Sequence, residues 1–129
     1  MHVLLLKNFK NIGATIHAHP QYCMAFVAQS KPIPNITEAT MKRGPVECIP
    51  YTQAYTTNLH EEVYRYFDAR RELAEKYPIG AIMPLHGVVV SGSDLFMAYS
   101  MLERIEADAM CNIFRDQVNS CECVNGVKG

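Results

Sequence analysis

The sequence predicts an α/β fold in a single domain, on two observations. First, 129 residues with 49% hydrophobic and 19% charged side chains are enough to bury one core and too few for two ordinary domains. Second, stretches with the apolar spacing of a helix alternate with short apolar or β-branched stretches typical of strands. We therefore expect one domain over residues 1–118 and a polar, flexible tail over residues 119–129.

The first half of the chain is predicted to hold two short helices around a strand. Residues 2–10 have apolar side chains at helical spacing, and residues 14–19 are partly β-branched and end at a proline, as a strand entering a turn does. Residues 20–29 again predict a helix, with proline in its first turn. Residues 30–46 hold three prolines and one glycine, which favours a loop before a short strand at 48–49.

The second half is predicted to hold two longer helices separated by strands. Asn58 and Glu61 have the spacing of a capping box, and the helix they begin is expected to run to Tyr77. Residues 79–90 are mostly apolar and predict two buried strand segments meeting at a kink. Ser93 is the expected N-cap of the longest helix. Its predicted core-facing residues are Leu95, Ala98, Leu102, Ile105, Ala109 and Ile113.

Charge and cysteine content exclude several classes of protein. Twelve basic and thirteen acidic residues give a net charge of −1 without a basic cluster, so we expect no nucleic-acid partner. No apolar run approaches a signal peptide or the ~18 residues of a membrane span, so no membrane association is expected. Five cysteines without a framework spacing indicate free thiols in the cytoplasm. Cys121 and Cys123 suit a soft metal, but free thiols are the commoner outcome for such a tail.

Three histidines are candidate metal ligands. His17 and His19 lie two residues apart on a predicted strand, so both imidazoles project from the same face. His86 follows an apolar stretch, and its ring needs a partner because burying an unpaired polar group costs a few kcal/mol. Two interpretations stay open: ordinary histidines that are partly exposed or hydrogen-bonded, or an open three-imidazole site with one position left for water or substrate. No role is assigned to His2 or His60.

Three segments together resemble a known family. They are Thr15 to Pro20 (Thr-Ile-His-Ala-His-Pro), Ile49 to Tyr51 (Ile-Pro-Tyr) and Pro84 to Gly92 (Pro-Leu-His-Gly-Val-Val-Val-Ser-Gly). In this order, over about residues 2–115, they resemble the class II aldolase/adducin family, which includes fuculose phosphate and rhamnulose phosphate aldolases. The resemblance implies a three-layer α/β/α fold with a mostly antiparallel central sheet. It also implies Zn²⁺, or another divalent metal, held by His17, His19 and His86.

The same resemblance implies residues that this sequence lacks. Family aldolases carry a catalytic glutamate shortly before the His-x-His motif and phosphate-binding Gly, Asn and Ser residues earlier still. No Asp or Glu precedes Glu38 here, so we expect the N-terminal third of the family domain to have no counterpart. Glu38 stands near the position of the proton-donating tyrosine of fuculose-type aldolases, which makes it a candidate acid/base, with a solvated loop glutamate as the alternative. Tyr51 and Tyr55 are candidate weak acids, with packing as their alternative.

The function implied is zinc-dependent, reversible retro-aldol cleavage of a ketose phosphate to dihydroxyacetone phosphate and an aldehyde. The expected partners are a small phosphorylated sugar and, by resemblance, three further copies in a homotetramer. The alternatives are a metal-dependent pentulose-phosphate epimerase or dehydratase of the same family, and a non-catalytic adducin-like interaction module. Apolar side chains away from the predicted core stripes favour self-association independently. They are Tyr64, Phe96, Met97, Met101 and Met110.

Overall fold

The structure, a computed structural model, describes residues 1–121; the remainder of the predicted tail, 122–129, lies outside the described residues. Helices and short strands alternate along the chain, as predicted. In order they are α1 (His2–Asn8), β1 (Ala14–Ala18), α2 (Cys23–Val27), α3 (Glu38–Met41), α4 (Thr57–Asp68), α5 (Arg71–Lys76), β2 (Gly80–Met83), β3 (Gly87–Gly92) and α6 (Leu95–Ser120). Over residues 1–121, every helix is too short or too polar to cross a membrane.

The three strands form one antiparallel sheet in the order β1-β3-β2. All residues of β2 and β3 are buried, because helices cover both faces of the sheet. Helices α1, α4 and α5 pack on one face, against Ala81, Met83 and Val89. Helices α2 and α6 pack on the other, against Ile82, Val88 and Val90. This confirms the predicted three-layer α/β/α architecture with an antiparallel sheet.

Both predicted N-caps are wrong by one or two residues. The hydroxyl of Thr56, rather than Asn58, accepts a hydrogen bond from a first-turn amide of α4. The carboxylate of Asp94, rather than Ser93, accepts one from a first-turn amide of α6 at 2.8 Å. In each case the capping oxygen belongs to the residue three positions before the donating amide, which is the geometry that a cap requires.

The helix predicted to run through Tyr77 is broken at Arg70. The backbone angles of Arg70, φ −119° and ψ 29°, are not helical, so α4 and α5 are separate helices. The guanidinium of Arg70 lies 3.9 Å from the centroid of the Tyr66 ring and pairs with Glu47, which lies 23 residues earlier in the sequence. The apolar spacing of the segment does not reveal this break, because the partner that anchors Arg70 is a tertiary one.

The buried side of α6 differs from the predicted stripe. Its buried residues are Ala98, Met101, Ile105, Asp108 and Ala109. Leu95 is 67% exposed, while Leu102 and Ile113 are half-buried. The stripe is displaced because α6 contacts β3 and β1 on one side and α2 and α3 on another. The helix also continues to Ser120, two residues past the expected domain boundary.

Asp108 of α6 ties α3, which lies within the predicted loop 30–46, to the core. Its carboxylate is buried and accepts hydrogen bonds from the Thr37 amide at 3.1 Å and the Thr37 hydroxyl at 2.6 Å. It also accepts one from the hydroxyl of Thr40, which is buried as well. A buried carboxylate at this position was not predicted, since it interrupts an otherwise apolar helix face.

We expect Asp108→Ala to lower the free energy of unfolding by about 2–3 kcal/mol, because the buried hydroxyl of Thr40 and the half-buried amide and hydroxyl of Thr37 would lose their acceptor. Urea denaturation followed by circular dichroism measures this change. Asp116→Ala on the same helix is the matched control, since its side chain is 91% exposed and its loss should change stability by less than about 0.5 kcal/mol. Equal effects of the two substitutions would contradict the assigned role of Asp108.

Candidate metal centre

The structure brings His17, His19 and His86 together at one end of the sheet. The centroid of the His17 ring lies 4.7 Å from that of His19 and 4.6 Å from that of His86. The centroids of His19 and His86 are 5.9 Å apart. One ring nitrogen from each residue lies within 4.8 Å of the others. Three imidazoles with this separation suit a divalent ion that keeps an open coordination position.

The antiparallel pairing of β1 with β3 explains this convergence. His17 pairs with Val89 and Ala18 with Val88, so the carboxyl end of β1 lies beside the start of β3. His86 immediately precedes β3, in the turn that joins it to β2. Residues almost seventy positions apart are therefore held side by side by the backbone register of the sheet.

The hydrogen bonds of the rings fit metal ligation. Nδ1 of His17 lies 2.9 Å from the carbonyl oxygen of Val88, to which it donates, so Nε2 is left as the ligand atom. Nδ1 of His86 is buried and has no hydrogen-bond partner among the described residues. Such a nitrogen is costly to leave unpaired, and a metal ion would satisfy it. Burial, followed by the neighbouring His17 and His19, lowers the pKa of His86, which favours the neutral, ligating form.

Gly87 permits the rings to approach each other. A Cβ atom at this position would lie 2.7 Å from the carbonyl oxygen of Ala18, 2.8 Å from the ring of His19 and 2.9 Å from the ring of His17. All three distances are shorter than carbon side-chain contacts in proteins allow. The glycine after His86 is therefore required by the packing of the other two histidines.

The three rings open into a cavity of about 600 Å³, a volume that suits a small ligand. All five histidines of the chain line this cavity. The lining residues are Met1, His2, Val3, His17, His19, Tyr55, Leu59, His60 and His86. Among the described residues, no Asp, Glu, Lys or Arg lines it. His2 and His60 were missed from the sequence because they come from α1 and α4, whose approach to β1 only the packing determines.

The candidate acids have different positions. Glu38 is an exposed residue at the start of α3, which packs against α6, and it does not line the histidine cavity. Tyr51 is 63% exposed and Tyr55 is 94% exposed, so the alternative of packing is wrong for both. The ring of Tyr55 lies 6.1 Å from that of His86, which brings its phenol to the cavity. Cys121 is exposed, and Cys123, the other thiol considered for a soft metal, lies outside the described residues.

The chain belongs to the family described as the class II aldolase and adducin N-terminal domain, which residues 1–113 match. An L-fuculose phosphate aldolase of Methanococcus maripaludis is 30% identical over 113 residues, which are 87% of this chain and 57% of that protein. A 5-deoxy-D-ribulose 1-phosphate aldolase of Bacillus thuringiensis is 23% identical over 107 residues, 82% of this chain and 46% of that protein. The chain thus spans about half the length of these relatives.

The fold has a counterpart among solved structures. An L-fuculose 1-phosphate aldolase superposes with a TM-score of 0.68 at 21% identity, over 98% of this chain and 55% of that protein. This likeness confirms the class II aldolase-like fold implied by the sequence. Each of these relatives is named as an aldolase of a phosphorylated sugar.

Proposed function

We propose that this chain carries the metal site of a class II aldolase that cleaves a ketose phosphate reversibly into dihydroxyacetone phosphate and an aldehyde. The observation that carries the proposal is the convergence of His17, His19 and His86 at an open cavity. A set of three imidazoles with a free position favours Zn²⁺ over magnesium, which prefers oxygen ligands. The site is proposed to bind one ion per chain.

The role of each residue follows from its contacts. When bound, zinc would supply Lewis-acid chemistry toward the carbonyl and hydroxyl oxygens of the sugar phosphate. His17 is held in one tautomer by the Val88 carbonyl, and His86 is kept neutral by burial, so both rings are ready to ligate. The apolar side chains of Val3 and Leu59 border the cavity.

The described residues provide few groups that could transfer a proton during the reaction. Retro-aldol cleavage requires a group that moves a proton to and from the reacting carbon and oxygen. Among the side chains of the described residues that line the cavity, only the imidazoles and the Tyr55 phenol can do this. The position of Glu38 on α3 does not support an acid/base role for it in this cavity.

We expect the wild-type protein to bind one equivalent of zinc and His19→Ala to lose it, because two remaining imidazoles hold the ion far more weakly. Elemental analysis after dialysis against zinc measures the stoichiometry. His60→Ala is the matched control: it removes an imidazole from the same cavity but outside the group of three, so it should retain a full equivalent.

A full equivalent of metal in His19→Ala would refute the ligand assignment. A wild-type protein that binds no divalent ion would instead favour the adducin-like interaction module. An epimerase or dehydratase of the same family would share the three histidines, so metal analysis does not separate it from an aldolase; identification of the product does.

We also propose self-association, as expected for a homo-oligomer. Tyr64 packs partly and Met101 fully into the core, so these two give no support to it. Apolar side chains nevertheless remain exposed on α6: Leu95, Phe96, Tyr99, Met110, Phe114 and Val118. Phe96 alone is 76% exposed, and monomers rarely leave so many large apolar groups on one element. Multi-angle light scattering at micromolar concentration should give a mass above 14.5 kDa; a monomer would contradict the proposal.

A further inference from the structure

Two imidazoles in the histidine cavity lie outside the group proposed to bind metal. We call His2 and His60 the outer histidines. They come from α1 and from the first turn of α4, two elements that pack on the same face of the sheet. Both line the cavity with His17, His19 and His86, yet neither has a ring nitrogen close enough to belong to the group of three. The cavity is thus lined by two imidazoles besides the three proposed ligands.

The orientation of His2 is fixed by the strand that carries the inner ligands. Nδ1 of His2 is hydrogen-bonded to the hydroxyl of Thr15, which lies two residues before His17 on β1. This contact occupies one ring nitrogen and leaves Nε2 for a ligand. Burial lowers the pKa of His2, and the neighbouring N-terminal amino group, His17 and His60 lower it further, which favours the neutral ring. The free ring nitrogen of a neutral imidazole held in this way can form a hydrogen bond with a hydroxyl group or a carboxylate of a ligand.

No salt bridge or other hydrogen bond within residues 1–121 occupies His60, which is half-buried at the cavity wall. Among the described residues, the side chains that line the cavity include no carboxylate, lysine or arginine, so the imidazoles are its main polar groups. A ligand that entered would meet the three-histidine group, the two outer histidines and the apolar side chains of Met1, Val3 and Leu59. A ligand bearing oxygens at a single point would use only one of the two histidine groups.

We propose that His2 and His60 form a second binding point for an oxygen-rich ligand, and that they select ligands long enough to reach from the three-histidine group to this point. The ligand class is a polyhydroxylated small molecule with vicinal oxygens at its metal-binding end and further hydroxyls along its chain. The inference rests on the proposed metal site, because the first binding point is the ion. It assigns to the outer histidines the discrimination between short and extended substrates.

The test compares two ligands of different length in two kinds of variant. Glycolate offers a hydroxyl and a carboxylate on adjacent carbons and serves as the short probe; D-erythronate adds two hydroxylated carbons. Isothermal titration calorimetry on the zinc-loaded 129-residue chain gives both dissociation constants. We expect wild type to bind erythronate about five- to tenfold more tightly than glycolate, which is the effect of one or two additional hydrogen bonds.

His2→Ala and His60→Ala should each remove most of that preference while leaving the glycolate constant within about twofold. Thr15→Val should reproduce part of the His2→Ala effect, because it removes the hydroxyl that orients the ring. Glu61→Ala is the control: it truncates the exposed neighbour of His60 on α4, outside the cavity, and should keep the full preference.

The outcomes separate the two proposals. If zinc fails to bind to wild type, the proposed metal site is wrong, and the second binding point falls with it. If zinc binds but glycolate does not, the ion does not serve as the first binding point, and the inference alone is overturned. If both bind but erythronate binds no more tightly than glycolate, or the outer histidine variants keep the preference, only the second binding point is refuted. Loss of glycolate binding in His2→Ala, with a lowered melting temperature, would show a structural role for His2 and also overturn the inference.

Discussion

The 129-residue chain should cleave fuculose phosphate or rhamnulose phosphate at least ~10²-fold more slowly than a full-length family aldolase. General acid–base catalysis typically contributes ~10²–10⁴-fold to the rate, and the described cavity holds no carboxylate to supply it. Positioning of the substrate by its phosphate adds a further factor, and the phosphate-binding residues implied by the family resemblance have no counterpart in this sequence. A coupled assay that detects dihydroxyacetone phosphate measures the rate.

The L-fuculose phosphate aldolase of Methanococcus maripaludis, assayed at equal zinc occupancy, is the positive control for this experiment. Because the two proteins carry the same amount of zinc, a difference between their cleavage rates does not come from metal content. A rate equal to that of the control would contradict the expectation. It would also direct attention to the Tyr55 phenol or the cavity imidazoles as the proton-transfer groups, which Tyr55→Phe would then test.

Gly87→Ala should both destabilise the fold and weaken zinc binding. The added methyl group would overlap the Ala18 carbonyl and the rings of His17 and His19, all at less than 3.0 Å. Overpacking of this kind costs about 1–3 kcal/mol in the free energy of unfolding. Because two of the overlapped groups are the proposed ligands, zinc affinity should fall at least tenfold, within the ~10–100-fold range seen when ligand orientation is disturbed.

Leu85→Ala is the comparison for this variant, because it changes the same turn at a side chain that is exposed. Its zinc affinity and unfolding free energy should stay close to those of wild type. Chemical denaturation and competition with a chromogenic zinc chelator measure the two quantities. If Gly87→Ala bound zinc as tightly as wild type, the close packing of the three rings would not be a requirement of the site.

The local chemistry of the sequence determined much of the fold. Apolar spacing predicted the short strand that ends in His-x-His, the two buried strands on either side of His86, and the long final helix. These predictions succeed because burial on one or both faces leaves a period that can be read without knowing the partner. The spacing of His17, in β1, and His19, which immediately follows it, also sufficed to place both rings on the same side, since alternation along an extended segment is a local property.

Only the tertiary structure decided which distant residues meet. At the break, Arg70 pairs with Glu47, and the buried side of α6 includes Asp108, which accepts hydrogen bonds from Thr37 and Thr40. Neither leaves a periodic signal, because a polar contact between separate elements is set by how those elements pack.

The site shows the same division. The local sequence of β1 and the residue after it positions His17 and His19. The register of β1 against β3 is what brings His86 close to them. His2 and His60 carry no local mark at all. They reach the cavity because α1 and α4 cover the face of the sheet on which His17 lies. A single sequence records which side chains each element presents, whereas the packing of elements far apart in the chain decides which of them share a cavity.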